Sequence, residues 1–252
     1  MNSNIESILS SPIMHEGETQ ENIIQNGFDY FYNYFLKKEV KPNLKEFNIF
    51  YDMSSKCSIC TSKFPERFLH SISFSNKLGD IDKTHEFDIY PCTNDVSIKY
   101  CSNNCKMAST DLLEFSYLDR YFCYYRLSRI HWIKDIIDLA NDEHQNVSVW
   151  MKKKKDKSNK TFTQCFVRYN DILNDFIIIF IVLGNSLRFQ TAYPVVFKSS
   201  KDSLQKDFKA YIDNKKNQWT VGSLVGSFIQ HGRWVIYIIP KYNPKSIKSR
   251  LF

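Results

Sequence analysis

The sequence predicts an α+β protein, with helices followed by an antiparallel sheet and a cysteine-rich module ahead of both. Apolar residues recur at helical spacing in the stretches before Asn146, and apolar and polar residues alternate in most segments after it. The 252 residues are 43% hydrophobic and 15% aromatic. That is enough for a packed core and excludes an intrinsically disordered chain.

The first half of the chain predicts two helices and a strand. Aromatic residues crowded at helical spacing predict a helix over Glu21–Lys38, which Pro42 closes. Residues 1–20 are polar and turn-rich, and we expect them to be poorly ordered. A strand that leads into the first cysteines is predicted for LKEFNIFYDM. Another helix is predicted for MASTDLLEFSYLDRYFCYYRL, with Ser109 or Thr110 as its N-cap.

A third helix precedes the sheet. It is predicted for SRIHWIKDIIDLANDEH with Ser128 as its cap, and its apolar stripe comprises Ile130, Ile133, Ile136, Ile137 and Ala140. Alternation then predicts four successive strands: VSVWMKKKK, TFTQCFVRY, DFIIIFIVLG and SLRFQTAYPVVF. Helical spacing returns in SKDSLQKDFKAYIDNKK, and a terminal hairpin is predicted to turn at His231 and Gly232.

These patterns divide the chain into three parts. Residues 1–50 form an N-terminal helical, partly disordered leader, residues 51–110 a cysteine-rich module, and residues 111–252 a helix-plus-sheet domain with a C-terminal hairpin. The longest apolar run, Phe176–Leu183, has eight residues, whereas a membrane-spanning helix needs about 20. The N-terminus also lacks the pattern of a secretory signal. We therefore expect a soluble, cytoplasmic protein with no membrane partner.

Two close cysteine pairs predict a structural zinc site. They are Cys57 and Cys60 in CSIC, and Cys101 and Cys105 in CSNNC. Three further residues are alternative ligands in the same region: Cys92, His70 and His85. Because four protein ligands leave no open coordination position, we expect the zinc to support folding and expect no catalytic metal.

Positive charge is concentrated in the second half of the chain. Residues 126–252 hold 22 Lys and Arg against 10 Asp and Glu, whereas residues 1–125 hold 12 against 17. The basic half is therefore the candidate surface for a polyanionic partner. The alternative is that a lysine-rich surface merely keeps a β-rich domain soluble.

The basic half also resembles a known family. Over about residues 124–212, the segments RIHWI (from Arg129), VW (Val149 and Trp150) and TAY (from Thr191) follow in order. This order resembles the phage-associated branch of the barnase–EndoU–colicin–RelE nuclease superfamily. The resemblance implies a helix packed on a curved antiparallel sheet and a metal-independent, toxin-like endoribonuclease. It also implies RNA, tRNA included, as the substrate, and a protein inhibitor or a phage or host component as partner.

RNA cleavage without a metal needs a base for the 2′-hydroxyl, an acid for the leaving oxygen and donors for the phosphorane. Arg129 or Arg188 is a candidate for neutralising the phosphorane, and His131 for transferring protons. Thr191 and Tyr193 are candidates for donating hydrogen bonds to the phosphate. The candidate substrate-binding residues are Lys134, which matches the family's basic residue near the end of the helix, together with Trp150, Lys198 and Lys201.

Structural alternatives accompany these roles. Arg129 can pair with a carboxylate of its own helix, His131 can be a packing residue, and Thr191 and Tyr193 are ordinary strand formers. Two other functions therefore stay open. One is a non-catalytic, zinc-containing nucleic-acid-binding protein, and the other is an interaction protein whose basic face meets an acidic partner.

Overall fold

The α+β class is confirmed by a computed structural model, which describes residues 8–53, 64–75, 112–115 and 118–220. The elements before the large meander are α1 (Gln20–Phe31), a π-helical turn (Tyr32–Leu36), β1 (Asn43–Leu44), β2 (Phe47–Phe50), α2 (Glu66–Ser71), β3 (Ser73–Ser75), β4 (Leu112–Phe115), β5 (Leu118–Phe122), α3 (Tyr124–Leu127) and α4 (Trp132–Asn141). The remaining elements are β6 (Val147–Lys155), β7 (Thr161–Asn170), β8 (Asp175–Leu183), β9 (Ser186–Pro194) and α5 (Lys198–Thr220).

Six strands form one curled, mixed sheet in the order β1-β2-β9-β8-β7-β6. The meander β6 to β9 is antiparallel throughout, as the alternation predicted. The prediction of a wholly antiparallel sheet is wrong, because β2 pairs with β9 in parallel, with Asn48 opposite Ser186. Local alternation carries no information about this pairing, since β2 and β9 lie far apart in the chain.

The prediction of one helix over residues 107–127 is wrong. In the described residues of this segment, only α3 is helical, and β4 and β5 are strands. β4 and β5 pair with each other, and β5 also pairs with β3, in a separate three-stranded antiparallel sheet. The aromatic and aliphatic residues that fit helical spacing here are also good strand formers. The strand forms instead of the helix because β5 pairs with β3. The residue spacing within the segment cannot reveal this partner.

Strand β8 is apolar on both sides, and its two sides define the two faces of the large sheet. Phe176, Ile178 and Phe180 point to the side that we call the core face. Ile177 points to the opposite side, which we call the second face, and alternation places Ile179 and Ile181 there with it. On each face, other parts of the chain must therefore pack against these apolar side chains and bury them.

Helices α1 and α4 cover the core face. All five residues of the stripe predicted for this helix are buried, with Ile130 in the turn just before α4 and the other four within it: Ile133, Ile136, Ile137 and Ala140. An aromatic cluster continues the core towards α2, where Phe31 stacks on Phe68 with ring centroids 5.8 Å apart. At Gly27 of α1, an added Cβ would lie 2.4 Å from Leu127 Cδ1, so glycine permits the close approach of α1 to α3.

The leader is part of this fold. The backbone N–H of Ile13 donates to the Ser128 carbonyl over 2.7 Å, and the Trp132 indole N–H donates to the Ser10 carbonyl over 2.8 Å. The expectation of poor order is therefore wrong for the described residues before α1. Since α1 and β2 also belong to the core and the large sheet, the boundary predicted at residue 50 does not separate two units.

Helix α5 crosses the second face above β6 and β7. Its residues Leu204, Phe208 and Tyr211 pack on a small cluster formed by Trp150, Phe166, Ile177 and Val195. The prediction of helical spacing in this segment is confirmed.

The predicted zinc ligands and the terminal hairpin lie outside the described residues. Within the described ranges, no helix has both the length and the apolar composition that a bilayer crossing requires.

The buried ion pair between Arg168 and Asp175 gives a test of the second face. Their bidentate contact has distances of 2.8 and 2.6 Å, and both side chains are almost fully buried. Replacing Asp175→Asn leaves a buried guanidinium without its counter-charge, so we expect a loss of about 3 kcal/mol in the free energy of unfolding, measured by urea denaturation. The double variant Arg168→Met with Asp175→Leu buries no charge and should lose less. A loss below about 1 kcal/mol for Asp175→Asn would contradict a desolvated pair.

Candidate nucleic-acid interface

A bulge in β9 brings three of the predicted site residues to the second face. Phe180 lies opposite Phe189 and Ile179 lies opposite Thr191, which leaves Gln190 as the extra residue of β9. Strict alternation would place Arg188 and Thr191 on opposite faces. Because of the bulge, Arg188, Thr191 and Tyr193 all share the second face.

One continuous cross-strand row runs over five strands of this face. Its members, from β2 to β6, are Phe50, Arg188, Ile181, Gln164 and Lys152. Phe50 is 49% exposed, and Arg188 and Ile181 are half-buried. The row thus presents an exposed aromatic ring beside a guanidinium at one end and a lysine at the other.

The bulge residue is tied to this row. Gln164 Nε2 donates to Gln190 Oε1 over 2.6 Å, which joins β7 to β9 above Ile181. This bond fixes the amide groups in the middle of the row, so that they lie between the two cationic ends.

The lysine end of the row continues into a hairpin, which we call the lysine hairpin (residues 152–160). It contains six lysines and a single carboxylate, Asp156. All residues from Lys153 to Thr161 are exposed. The Asp156 carboxylate is engaged within the hairpin, where it accepts hydrogen bonds from the backbone N–H groups of Ser158 and Lys160 over 2.8 and 2.9 Å. The hairpin therefore presents a strongly positive surface.

Tyr193 lies at the far end of the second face. The guanidinium of Arg126 lies 5.2 Å from its ring centroid and also donates to the Ser73 carbonyl over 2.6 Å. Burial raises the pKa of Tyr193, although Arg126 acts in the opposite direction. The phenol is therefore protonated at neutral pH, where it can donate a hydrogen bond but cannot act as a base, and its predicted contact with a phosphate stays a prediction.

Arg129 does not join these residues. It is 4% exposed, and its guanidinium lies 3.6 Å from the ring centroid of Tyr125 and 5.1 Å from that of Trp132. It donates to the Tyr125 carbonyl and to Ser128 Oγ. These contacts hold Arg129 beside α4, which covers the core face. The expectation that Arg129 and Thr191 gather around one phosphate is therefore not met.

His131 is also separated from the second face. It is 1% exposed, and its ring centroid lies 6.1 Å from that of Tyr30 in α1. Burial lowers the pKa of His131, while the carboxylate of Asp135 acts to raise it. Asp135 itself accepts hydrogen bonds from Tyr34 and Ser10. A histidine enclosed in this way has no route for proton exchange with a substrate on the opposite face.

The predicted substrate-binding residues divide in the same way. Lys134 pairs with Asp138 within α4 and lies away from the second face. Lys198 and Lys201 belong to the first turn of α5, and Trp150 lies beneath that helix. Three of the four therefore belong to one side of the sheet.

The zinc prediction stays a prediction. Of its candidate ligands, only His70 falls in the described ranges, where its Nε2 lies 3.5 Å from Glu66 Oε1 on the same helix. The described residues contain no group of three or more metal-ligating side chains.

Sequence reasoning missed three residues that complete this surface. Arg126, Gln164 and Phe50 carry no motif, and each was assigned to a segment without a functional role. The alternation in β7 already placed Gln164, Phe166 and Arg168 on one side, so this signal was available. The position of Arg126 depends on the path of α3 and could not be derived in that way.

Comparisons of the chain with protein-family models, with curated proteins and with solved structures gave no match in any of the three. A functional assignment therefore rests on the chemistry of the residues themselves.

A second buried histidine gives a pH-dependent prediction. Burial, together with the nearby His131, lowers the pKa of His15 to about 4. The folded state thus keeps His15 neutral, while the unfolded chain takes up a proton below about pH 6.5. We expect full stability above that pH and, from His15, a loss of about 2 kcal/mol at pH 5. Urea denaturation at pH 7.5 and pH 5 should show this loss in the native protein and a smaller one in His15→Gln.

Thr19→Ala serves as the control for this measurement. It removes the N-cap of α1, where Thr19 Oγ1 accepts the Asn22 backbone N–H over 3.2 Å. We expect it to lower stability by about 1 kcal/mol equally at both pH values. An unchanged pH dependence in His15→Gln would show that His15 does not carry the effect.

Proposed function

We propose that this protein binds single-stranded RNA along the second face of its sheet. The lysine hairpin holds the phosphate backbone, and the row from Lys152 to Phe50 receives the bases. The observation that carries the proposal is the hairpin itself: it has six lysines, of which Lys152 pairs with Asp207 of α5, and its single carboxylate accepts hydrogen bonds within the hairpin. A protein that neutralises phosphates with lysines gains affinity by releasing condensed counterions.

The row supports nucleic acid over the two other interpretations of the positive charge. Lysines that only maintain solubility need no exposed aromatic ring beside an arginine. An acidic protein partner would use the charges but would leave Phe50 without a role. Bases of single-stranded RNA stack on aromatic rings and on guanidinium planes, and both are present as neighbours in Phe50 and Arg188.

Cleavage of the bound RNA is a second proposal, favoured by Arg188 and Thr191 sharing the half-exposed face. A guanidinium and a hydroxyl are suited to holding a phosphate and stabilising charge on it. Since His131 and Arg129 are enclosed beside the core face, the reaction needs a proton-transfer group other than His131. No described histidine lies in the row or in the lysine hairpin.

Charge reversal in the hairpin tests the binding proposal. We expect Lys154→Glu, on the side of β6 that carries Lys152 and Trp150, together with Lys157→Glu in the turn, to weaken binding of an unstructured RNA by roughly 10- to 100-fold at low salt. The dependence of log K on log salt should become shallower by about 1.4, since two phosphate contacts are lost. Fluorescence anisotropy over a range of salt concentrations measures both quantities.

The matched control is Lys37→Glu with Lys38→Glu, which changes the net charge equally. These exposed lysines precede β1, the edge strand farthest from the hairpin. After correction for the loss of long-range attraction, this double variant should bind the RNA with an affinity within about twofold of that of the native protein. Equal losses in both double variants would show diffuse attraction and no defined site. The absence of RNA binding in the native protein would refute the proposal.

The cleavage proposal is tested with the same purified protein. Labelled tRNA and total RNA are incubated with the protein in excess EDTA, and the products are examined for 2′,3′-cyclic ends. Thr191→Ala should abolish cleavage and retain binding. Binding without cleavage in the native protein would leave an RNA-binding protein and would refute the enzyme.

A further inference from the structure

Helix α5 is held to the second face by few contacts. Of its described side chains, Leu204, Phe208 and Tyr211 pack on the sheet, and all three stay partly exposed. By contrast, α4 buries five side chains in ten residues. Among the described residues, α5 thus buries fewer side chains on the second face than α4 buries on the core face.

An aromatic pair lies beneath α5. Trp150 and Phe166 are stacked with centroids 5.1 Å apart and planes 8° apart, and Lys154 Nζ lies 5.7 Å from the Phe166 ring centroid. Trp150 is 1% exposed, and no described group accepts a hydrogen bond from its indole N–H. A buried donor without an acceptor destabilises the covered state. Parallel aromatic rings flanked by lysines are the chemistry that holds single-stranded nucleic acid.

A carboxylate of α5 forms an ion pair with Lys152, the lysine at one end of the cross-strand row. Both Oδ atoms of Asp207 lie 2.7 Å from Lys152 Nζ. Gln205 approaches Arg168 less closely, with Oε1 3.5 Å from Nη1. Asp207 therefore holds, with its negative charge, a cation that a phosphate group would otherwise take.

We propose that α5 is a displaceable cover and that Trp150 and Phe166 form a second base-stacking site for single-stranded RNA, reached when α5 leaves the sheet. This inference rests on the proposed function, because the RNA held by the lysine hairpin is the same strand that extends to Trp150. A phosphate replaces Asp207 on Lys152, and a base packs where Phe208 lies, 5.6 Å from the Trp150 centroid. The helix thus competes with RNA for one face.

The test weakens the hold of α5 in the full chain. We expect Asp207→Asn with Phe208→Ala to bind a uridine-rich oligonucleotide of about 12 nucleotides roughly 10-fold more tightly than the native protein. Asp213→Asn changes the same charge at an exposed position of the same helix and should leave affinity unchanged. Adding Trp150→Leu to the released variant should remove the gain. Asp207→Asn alone is the milder variant if the double variant does not fold, and a smaller gain is expected from it.

The outcomes separate the two proposals. If the native protein binds RNA through the lysine hairpin but release of α5 leaves affinity unchanged or lowers it, the cover is refuted and the proposed function stands. The cover is also refuted if the gain survives Trp150→Leu, or if Asp213→Asn produces the same gain. If neither the native nor the released protein binds the oligonucleotide, both proposals fail.

Discussion

The structure depends on a single strand that is apolar on both sides. β8 places Phe176, Ile178 and Phe180 on one face of the sheet and Ile177, Ile179 and Ile181 on the other. Each such side chain stabilises the fold by about 1.5–3 kcal/mol when it is fully buried. Both faces therefore require a cover, and the two covers differ. α1 and α4 enclose the core face, whereas the described side chains of α5 pack on one small cluster of the second face, formed by Trp150, Phe166, Ile177 and Val195.

This unequal covering explains where polar chemistry can occur. Arg129 and His131 lie in the turn just before α4, so the packing that covers the core face also encloses them. Arg188 and Thr191 lie on the second face, where the bulge at Gln190 adds one residue and brings them to the same side. The lysine hairpin extends from the end of that face. Residues of the same type therefore differ in what they can do. Those under a covering helix are held in the packing, and those on the uncovered part of the second face can contact a macromolecule.

Much of the fold follows from local patterns, but the site follows only in part. Alternation predicted β6 to β9, and the stripe from Ile130 to Ala140 predicted the buried side of α4, because each pattern depends on one neighbouring surface. The strands β4 and β5 were predicted as a helix, since their partner β3 is distant in sequence. The sharing of one face by Arg188 and Thr191 depends on a bulge that no local pattern reveals. The burial of Arg129 depends on how Tyr125 and Trp132 pack around it.

The parallel pairing of β2 with β9 has a consequence during biosynthesis. Phe50 leaves the ribosome long before its partner Arg188 exists, and at about 5–20 residues per second the intervening chain takes roughly 7–30 s to make. During that interval β2 has no partner from the large sheet except β1, and the aromatic rings of α1 lack the sheet that buries them. The nascent N-terminal segment therefore exposes apolar rings during that interval, and β2 can join the large sheet only after residue 188 has been made.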